Sequence, residues 1–275
     1  MALVTGVFVV LVLAIVGVLL VVKVTRGSTV ATPPAVTPAP GTVVQQVSSV
    51  PAATWATVGA PSPTGPPPSV LSRRRPLVLD GRPGVLFVGS EFSPYSAAMR
   101  WALVVALSRF GTFAHLGATT SSSAEVFSGI STFSFVGTTF HSRYLALSAV
   151  EEYGPALDST EPAGFPLLRR PPGWAQRLMR LDDDGAEVPF LDIDNRVVMV
   201  GAETGFSPGV LQGRSMAQIA GQLASPTTSV AEAVVGEANV ITAAICQATG
   251  QRPGPVCRSS GADAGALRLG LSAPG

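Results

Sequence analysis

The hydrophobic pattern divides the chain into blocks. Residues 2–22 read ALVTGVFVVLVLAIVGVLLVV and hold no charged side chain. A helix of ~20 apolar residues spans the ~30 Å of bilayer hydrocarbon. A cleaved signal peptide has a basic start and a shorter apolar stretch. This run has neither, and it ends at Lys23 and Arg26. An uncleaved membrane helix is therefore expected at 2–22. Residues 27–75 are rich in Thr, Pro, Ala and Ser, as in TPPAVTPAPG and GAPSPTGPPP. Such a stretch cannot bury enough apolar surface to fold, and its prolines keep it extended. A disordered linker is expected there, with a folded domain at 76–258 and a flexible tail at 259–275.

Within the folded part, residues 84–89 (GVLFVG) form a short continuous apolar run, as in a strand buried on both faces. A helix is expected over 97–110, closed by Gly111. Residues 113–118 suit a second strand, and 131–150 hold one or two more. A short helix fits 173–181. Residues 188–193 and 196–200 flank Asp194-Asn195, a good hairpin turn. Helices follow at 216–223 and 230–248. In the second, Val230, Val234, Ala238, Ile241 and Ile245 share one face, Thr228 or Ser229 can cap the start, and Gly250 closes it. The fold class is α/β.

The net charge is +1, with 13% charged residues. That balance excludes an electrostatic fit to nucleic acid. The two histidines, His115 and His141, and the two cysteines, Cys246 and Cys257, have no metal-ligand spacing. No metal or cofactor is expected. The acidic clusters Glu151-Glu152 and Asp182-Asp183-Asp184 read as solvated loops, and Trp101 as a residue packed on the sheet.

The candidate chemistry lies where the first strand passes into its helix, at Phe92-Ser93-Pro94-Tyr95-Ser96. A strand, a tight Pro-Tyr loop and a helix make up the active-site unit of thioredoxin-like proteins. There the first thiol of Cys-x-x-Cys sits at a helix N-terminus, which lowers its pKa. Here serines occupy both positions. Val188-Pro189 stands about 95 residues further on, where such folds carry a cis-proline facing the loop. Ser93 could act as a nucleophile only with a base such as His115 or His141 within reach. No Gly-x-Ser-x-Gly elbow is present, so Ser93 is expected to cap the helix. Cys246 and Cys257 are either a redox pair or a staple. Their spacing is unlike a catalytic pair and they sit at no helix N-terminus, which favours the staple.

The blocks at 85–113 (VLFVGSEFSPYSAAMRWALVVALSRFGTF), 189–195 (PFLDIDN) and 238–257 (ANVITAAICQATGQRPGPVC) resemble one family, an uncharacterised group of membrane-anchored thioredoxin-like proteins (domain of unknown function 929). The resemblance runs from about residue 76 to 257. It implies a thioredoxin-like fold with an insertion before the cis-Pro hairpin and a C-terminal helical extension. Members of this family carry Cys-Pro-Tyr-Cys where this chain has Ser93 and Ser96, and share the cysteines matching Cys246 and Cys257. The family's expected work is extracytoplasmic thiol redox chemistry. Serine cannot ionise as a thiol does, nor form a disulfide.

The leading expectation is thus a non-catalytic protein- or peptide-binding domain, tethered to the membrane by its N-terminal helix. Phe92, Pro94, Tyr95, Val188 and Pro189 would make the binding surface. The alternatives are an oxidoreductase acting through Cys246 and Cys257, and a Ser93 hydrolase. Lys23 and Arg26 favour a cytoplasmic side for the domain. The stalk composition and a disulfide favour the outside, and the outside is expected.

Overall fold

The computed structural model describes residues 37–60, 68–71, 74–183, 187–201 and 205–272. The chain divides into residues 1–35 and 36–275. The expected membrane helix at 2–22 lies outside the described residues. Among these, one helix is long and apolar enough to cross a membrane, Ser229–Ala248, and it is buried in the domain.

The main sheet is built around β4 (Arg82–Gly89), whose Val85, Leu86, Phe87 and Val88 are buried. A run apolar on both faces belongs at the centre of a covered sheet. On one side β4 pairs in parallel with β9 (Ala146–Glu151). On the other it pairs antiparallel with β10 (Phe190–Ile193), which hairpins to β11 (Val197–Val200). Asp194 and Asn195 both have positive φ, as a tight two-residue hairpin turn requires. Asp192 Oδ1 accepts from the Asn195 amide at 2.7 Å and closes the turn. Two short strands complete the sheet, β2 (Ser69–Val70) beside β11 and β3 (Val78–Leu79) beside β4.

Helices cover both faces. On one lie α3 (Pro94–Leu107) and α6 (Ser229–Ala248). Nearly every residue of α3 is buried, including Trp101, because both the sheet and α6 pack on it. Thr228 caps α6 by accepting from the Ala231 amide at 3.1 Å. On the opposite face, α4 (Gly173–Asp182) buries Ala175 and Met179 against Leu86, Val88, Phe190 and Val198. A short helix, α5 (Met216–Gln222), precedes α6 and has a capping box from Ser215 and Gln218.

Three expectations are corrected. The single strand expected at residues 113–118 is two short strands. His115 has φ 58°, which breaks that stretch in two. The halves, β5 (Thr112–Ala114) and β6 (Gly117–Thr120), join separate small sheets, β5 with β8 (Thr139–His141), and β6 with β7 (Ser131–Ser134) and the short β1 (Thr37–Pro38). These sheets are an insertion between α3 and β9. Secondly, residues 41–58 of the expected linker form α1 (Gly41–Ser48) and α2 (Ala52–Val58). Val43, Val47 and Trp55 are buried in the core. Thr54 Oγ1 donates to the Ala224 carbonyl at 2.7 Å, and Asn239 Nδ2 of α6 donates to the carbonyls of Trp55 and Gly59. Tertiary contacts hold these helices, for neither has a side-chain cap.

The third correction is the tail, where Ser260–Arg268 forms α8 against α6. A Cβ at Gly265 would stand 2.2 Å from the Asn239 carbonyl oxygen, and one at Gly261 would meet its side chain. Glycine at both positions lets the two backbones approach.

Cys246, in the last turn of α6, is bonded to Cys257 of α7 (Gly254–Cys257). The cysteines are 11 residues apart and both are buried. Closing a loop of that size stabilises by about 3 kcal/mol in the chain-entropy model. Cys246→Ala and Cys257→Ala should each lower the unfolding free energy from urea titration by that amount, and combining them should add little. Clearly additive losses would show that the thiols act separately.

Candidate functional site

The loop after β4 is held by its own backbone and hydroxyl groups. Ser93 is the N-cap of α3, and its Oγ accepts from the Ser96 amide at 3.1 Å. Pro94 follows in the first turn, where its missing N–H costs nothing. Ser96 Oγ accepts from the Ser90 amide at 3.3 Å. The Ser93 amide donates to the Ser90 carbonyl, and the Ala97 amide to the Ser93 carbonyl. Ser93 is 5% exposed and Ser96 fully buried. Among the described residues neither His115 nor His141 makes a side-chain hydrogen bond to Ser93. The arrangement is a helix cap.

Aromatic rings flank the loop. Phe92 stacks on Phe165, centroids 4.1 Å apart, with Tyr153 nearby. Tyr95 meets Phe127 edge-on at 6.2 Å. Phe127 also lies against Gly209, so the segment around residue 208 closes over the same corner. The Ser122 amide donates to the Phe92 carbonyl at 2.9 Å, fixing the insertion to the loop.

The bond between Val188 and Pro189 is cis. The register pairs Phe190 with Val88. One residue further, Pro189 stands across from Gly89, just before the loop. Pro189 is buried and its carbonyl accepts from the Gly201 amide. Val188 is half-buried, and its own N–H and C=O have no hydrogen-bond partner among the described residues. Phe92, Ser93, Pro94, Tyr95 and Ser96 thus share one corner with Val188 and Pro189. Cys246 and Cys257 lie elsewhere, where the chain leaves α6.

Beneath the loop is a charged pair that composition and periodicity did not reveal. Arg100, fully buried on α3, donates from Nε and Nη2 to the two Glu151 carboxylate oxygens at 2.8 and 2.5 Å. The Phe135 amide donates to Glu151 Oε1 at 3.3 Å, and Arg100 lies 5.9 Å from the Phe87 ring centroid. Glu151 was expected in a solvated loop, but it ends β9 and is 3% exposed. Burial pushes its carboxyl pKa up, Arg100 and its hydrogen bonds oppose that, and the Glu91 charge adds to it. Glu91, buried in the loop, accepts from Thr119 Oγ1 at 3.3 Å. An arginine within an apolar helical pattern, at the spacing that turns it toward the sheet, was the available signal. The second acidic cluster is also engaged in part, since Asp182 pairs with Arg74 at 2.6 Å.

Among the described residues no three His, Cys, Asp or Glu side chains are grouped to hold a metal. Neither the curated proteins nor the solved structures include a match to this chain. Residues 70–157, which run from β2 through the loop, Arg100 and Glu151 and stop short of Pro189 and the cysteines, match the family described as Domain of unknown function (DUF929).

Proposed function

We propose that the chain is a membrane-tethered domain held outside the cytoplasm, with a thioredoxin-like fold that has lost its dithiol and binds an extended segment of a protein partner. The observation that carries this reading is Val188. Its unpaired N–H and C=O lie beside the capped loop and can take two backbone hydrogen bonds from an extended peptide. Phe92 and Tyr95, both partly exposed, would receive its side chains.

The element order supports the fold part of the proposal. β4, α3 and the parallel β9 are followed by α4 on the opposite face, then by antiparallel β10 and β11, then by α6 beside α3. Thioredoxin-like proteins have that sequence of strands and helices, and β5 to β8 would be an insertion into it. The expected absence of redox chemistry follows from the groups present. Attack on a disulfide needs a thiolate, and the two cysteines are bonded to each other and buried.

The full-length chain should therefore fail to reduce insulin disulfides. Ser93→Cys combined with Ser96→Cys should oxidise to a loop disulfide and gain that activity, because residue 93 sits at a helix N-terminus. Activity in the unmodified protein that disappears in Cys246→Ala would overturn the proposal in favour of the second cysteine pair.

A further inference from the structure

The outer edge of β9 has backbone groups that no other strand takes up among the described residues. The Glu152 amide donates to the Gly89 carbonyl, while the Asp194 amide donates to the Gly84 carbonyl. Leu86 and Val88 therefore direct their backbone groups to β10, Gly84 accepts from the turn after β10 while its own N–H donates to the Leu77 carbonyl, and Val85, Phe87 and Gly89 direct their groups to β9. In the parallel register of Val85 with Leu147 and Phe87 with Ala149, the ladder uses the backbone of Ser148 and Val150. The N–H and C=O groups of Leu147 and Ala149 point away from β4. No group among the described residues bonds to them.

This edge is the floor of a cleft of about 360 Å³. Phe135 and Phe140 stand on the α3 side of the sheet, Leu79 and Trp174 on the α4 side, with Asp80 and Arg169 also lining it. Open edges in folded proteins are usually blunted by lysine, proline or a bulge. Residues 146–149 (ALSA) have none of these. Instead, both layers of the domain wall the edge.

We infer that β9 is a docking edge for an extended strand from a protein partner, with apolar side chains at alternating positions. Two unpaired donor and acceptor pairs, two residues apart along a strand, match the repeat of an extended backbone. The walls on the two faces match the alternation of its side chains. The edge lies on the far side of β4 from Val188, so it is separate from the surface proposed above and does not depend on it.

The test uses the 15N-labelled full-length chain and a blocked heptapeptide, Lys-Thr-Val-Thr-Val-Thr-Lys. Saturating peptide should slow hydrogen exchange at the Leu147 and Ala149 amides at least tenfold. The same peptide methylated at every backbone nitrogen should not. Ala149→Pro removes an N–H that faces the cleft and no ladder bond, and should abolish the effect. Trp174→Ala leaves the backbone intact and should weaken binding at least fivefold. Three results would overturn the inference. They are no slowing at these amides with peptide, slow exchange there in the free protein, and slowing that follows protein concentration rather than peptide, which would mean pairing between copies of the chain.

Discussion

Arg100→Ala should destabilise the domain by about 3–5 kcal/mol, because it leaves the Glu151 carboxylate buried without its partner. The loss has a second component. The pair ties the end of β9 to α3 directly under the 90–96 loop, so the variant should also loosen that loop. Exchange of the Ser93 and Ser96 amides should accelerate more than exchange in the distant hairpin of β10 and β11. Glu151→Gln keeps the shape but strands the buried Arg100 charge, which cannot be lost by deprotonation, and should cost a comparable amount. The double change Arg100→Met with Glu151→Leu should restore much of the loss, because desolvating two charges offsets most of their attraction. Urea titrations of the four proteins measure this. A loss below ~1 kcal/mol for Arg100→Ala would show that the pair is dispensable.

The other large effect is a dependence on pH. Glu237 lies on α6, 2% exposed, and its Oε1 has no hydrogen-bond partner among the described residues. Burial raises its pKa from 4.5 to about 8, and Arg268 only partly opposes this. Below pH 4.5 the carboxyl is protonated in both the folded and the unfolded chain, and it contributes no pH dependence. Between pH 4.5 and 8 the unfolded chain loses the proton while the folded one keeps it. Stability therefore falls as pH rises through this window, and the slope ends above it. At ~1.4 kcal/mol per unit the total is on the order of 3–5 kcal/mol. Asp192, raised by burial to about 7, acts in the same direction. Glu237→Gln should remove about half of the fall, Asp192 supplying a comparable share, and leave the protein more stable near pH 8 than the unmodified chain. Equal slopes in the two proteins would show that Glu237 ionises freely.

The elements that were legible in the sequence are those whose residues specify them locally. GVLFVG is apolar at every position that both faces bury. Asp194-Asn195 is a turn pair that tolerates positive φ. Helix α6 shows its long apolar face and its Thr228 cap. The loop 92–96 stood out for the same reason, since its cap and proline act within one turn. What was missed depends on distant partners. Helices α1 and α2 follow Pro40 and Pro51, in a composition that cannot support a core alone, and they form against α6 and α5. Helix α8 is made of small residues, whose value lies in a close approach to Asn239 that no periodicity reveals. Glu151 followed by Glu152 reads as a polar patch until Arg100 is brought to it. The link between loop and Val188 likewise required the register of β10 on β4.

The docking of residues 41–59 has a consequence for the order of folding. Thr54 finds its acceptor 170 residues later, and Trp55 receives a hydrogen bond from a side chain 184 residues later. At ~5–20 residues per second, a growing chain waits roughly 10–40 s between making one partner and the other. Throughout that interval Val43, Val47 and Trp55 lack the surface that buries them. Contacts of such long sequence separation also form slowly even once both parts exist. The first described helices should therefore be among the last to settle, and until then they present a sticky apolar segment to any chaperone near the ribosome.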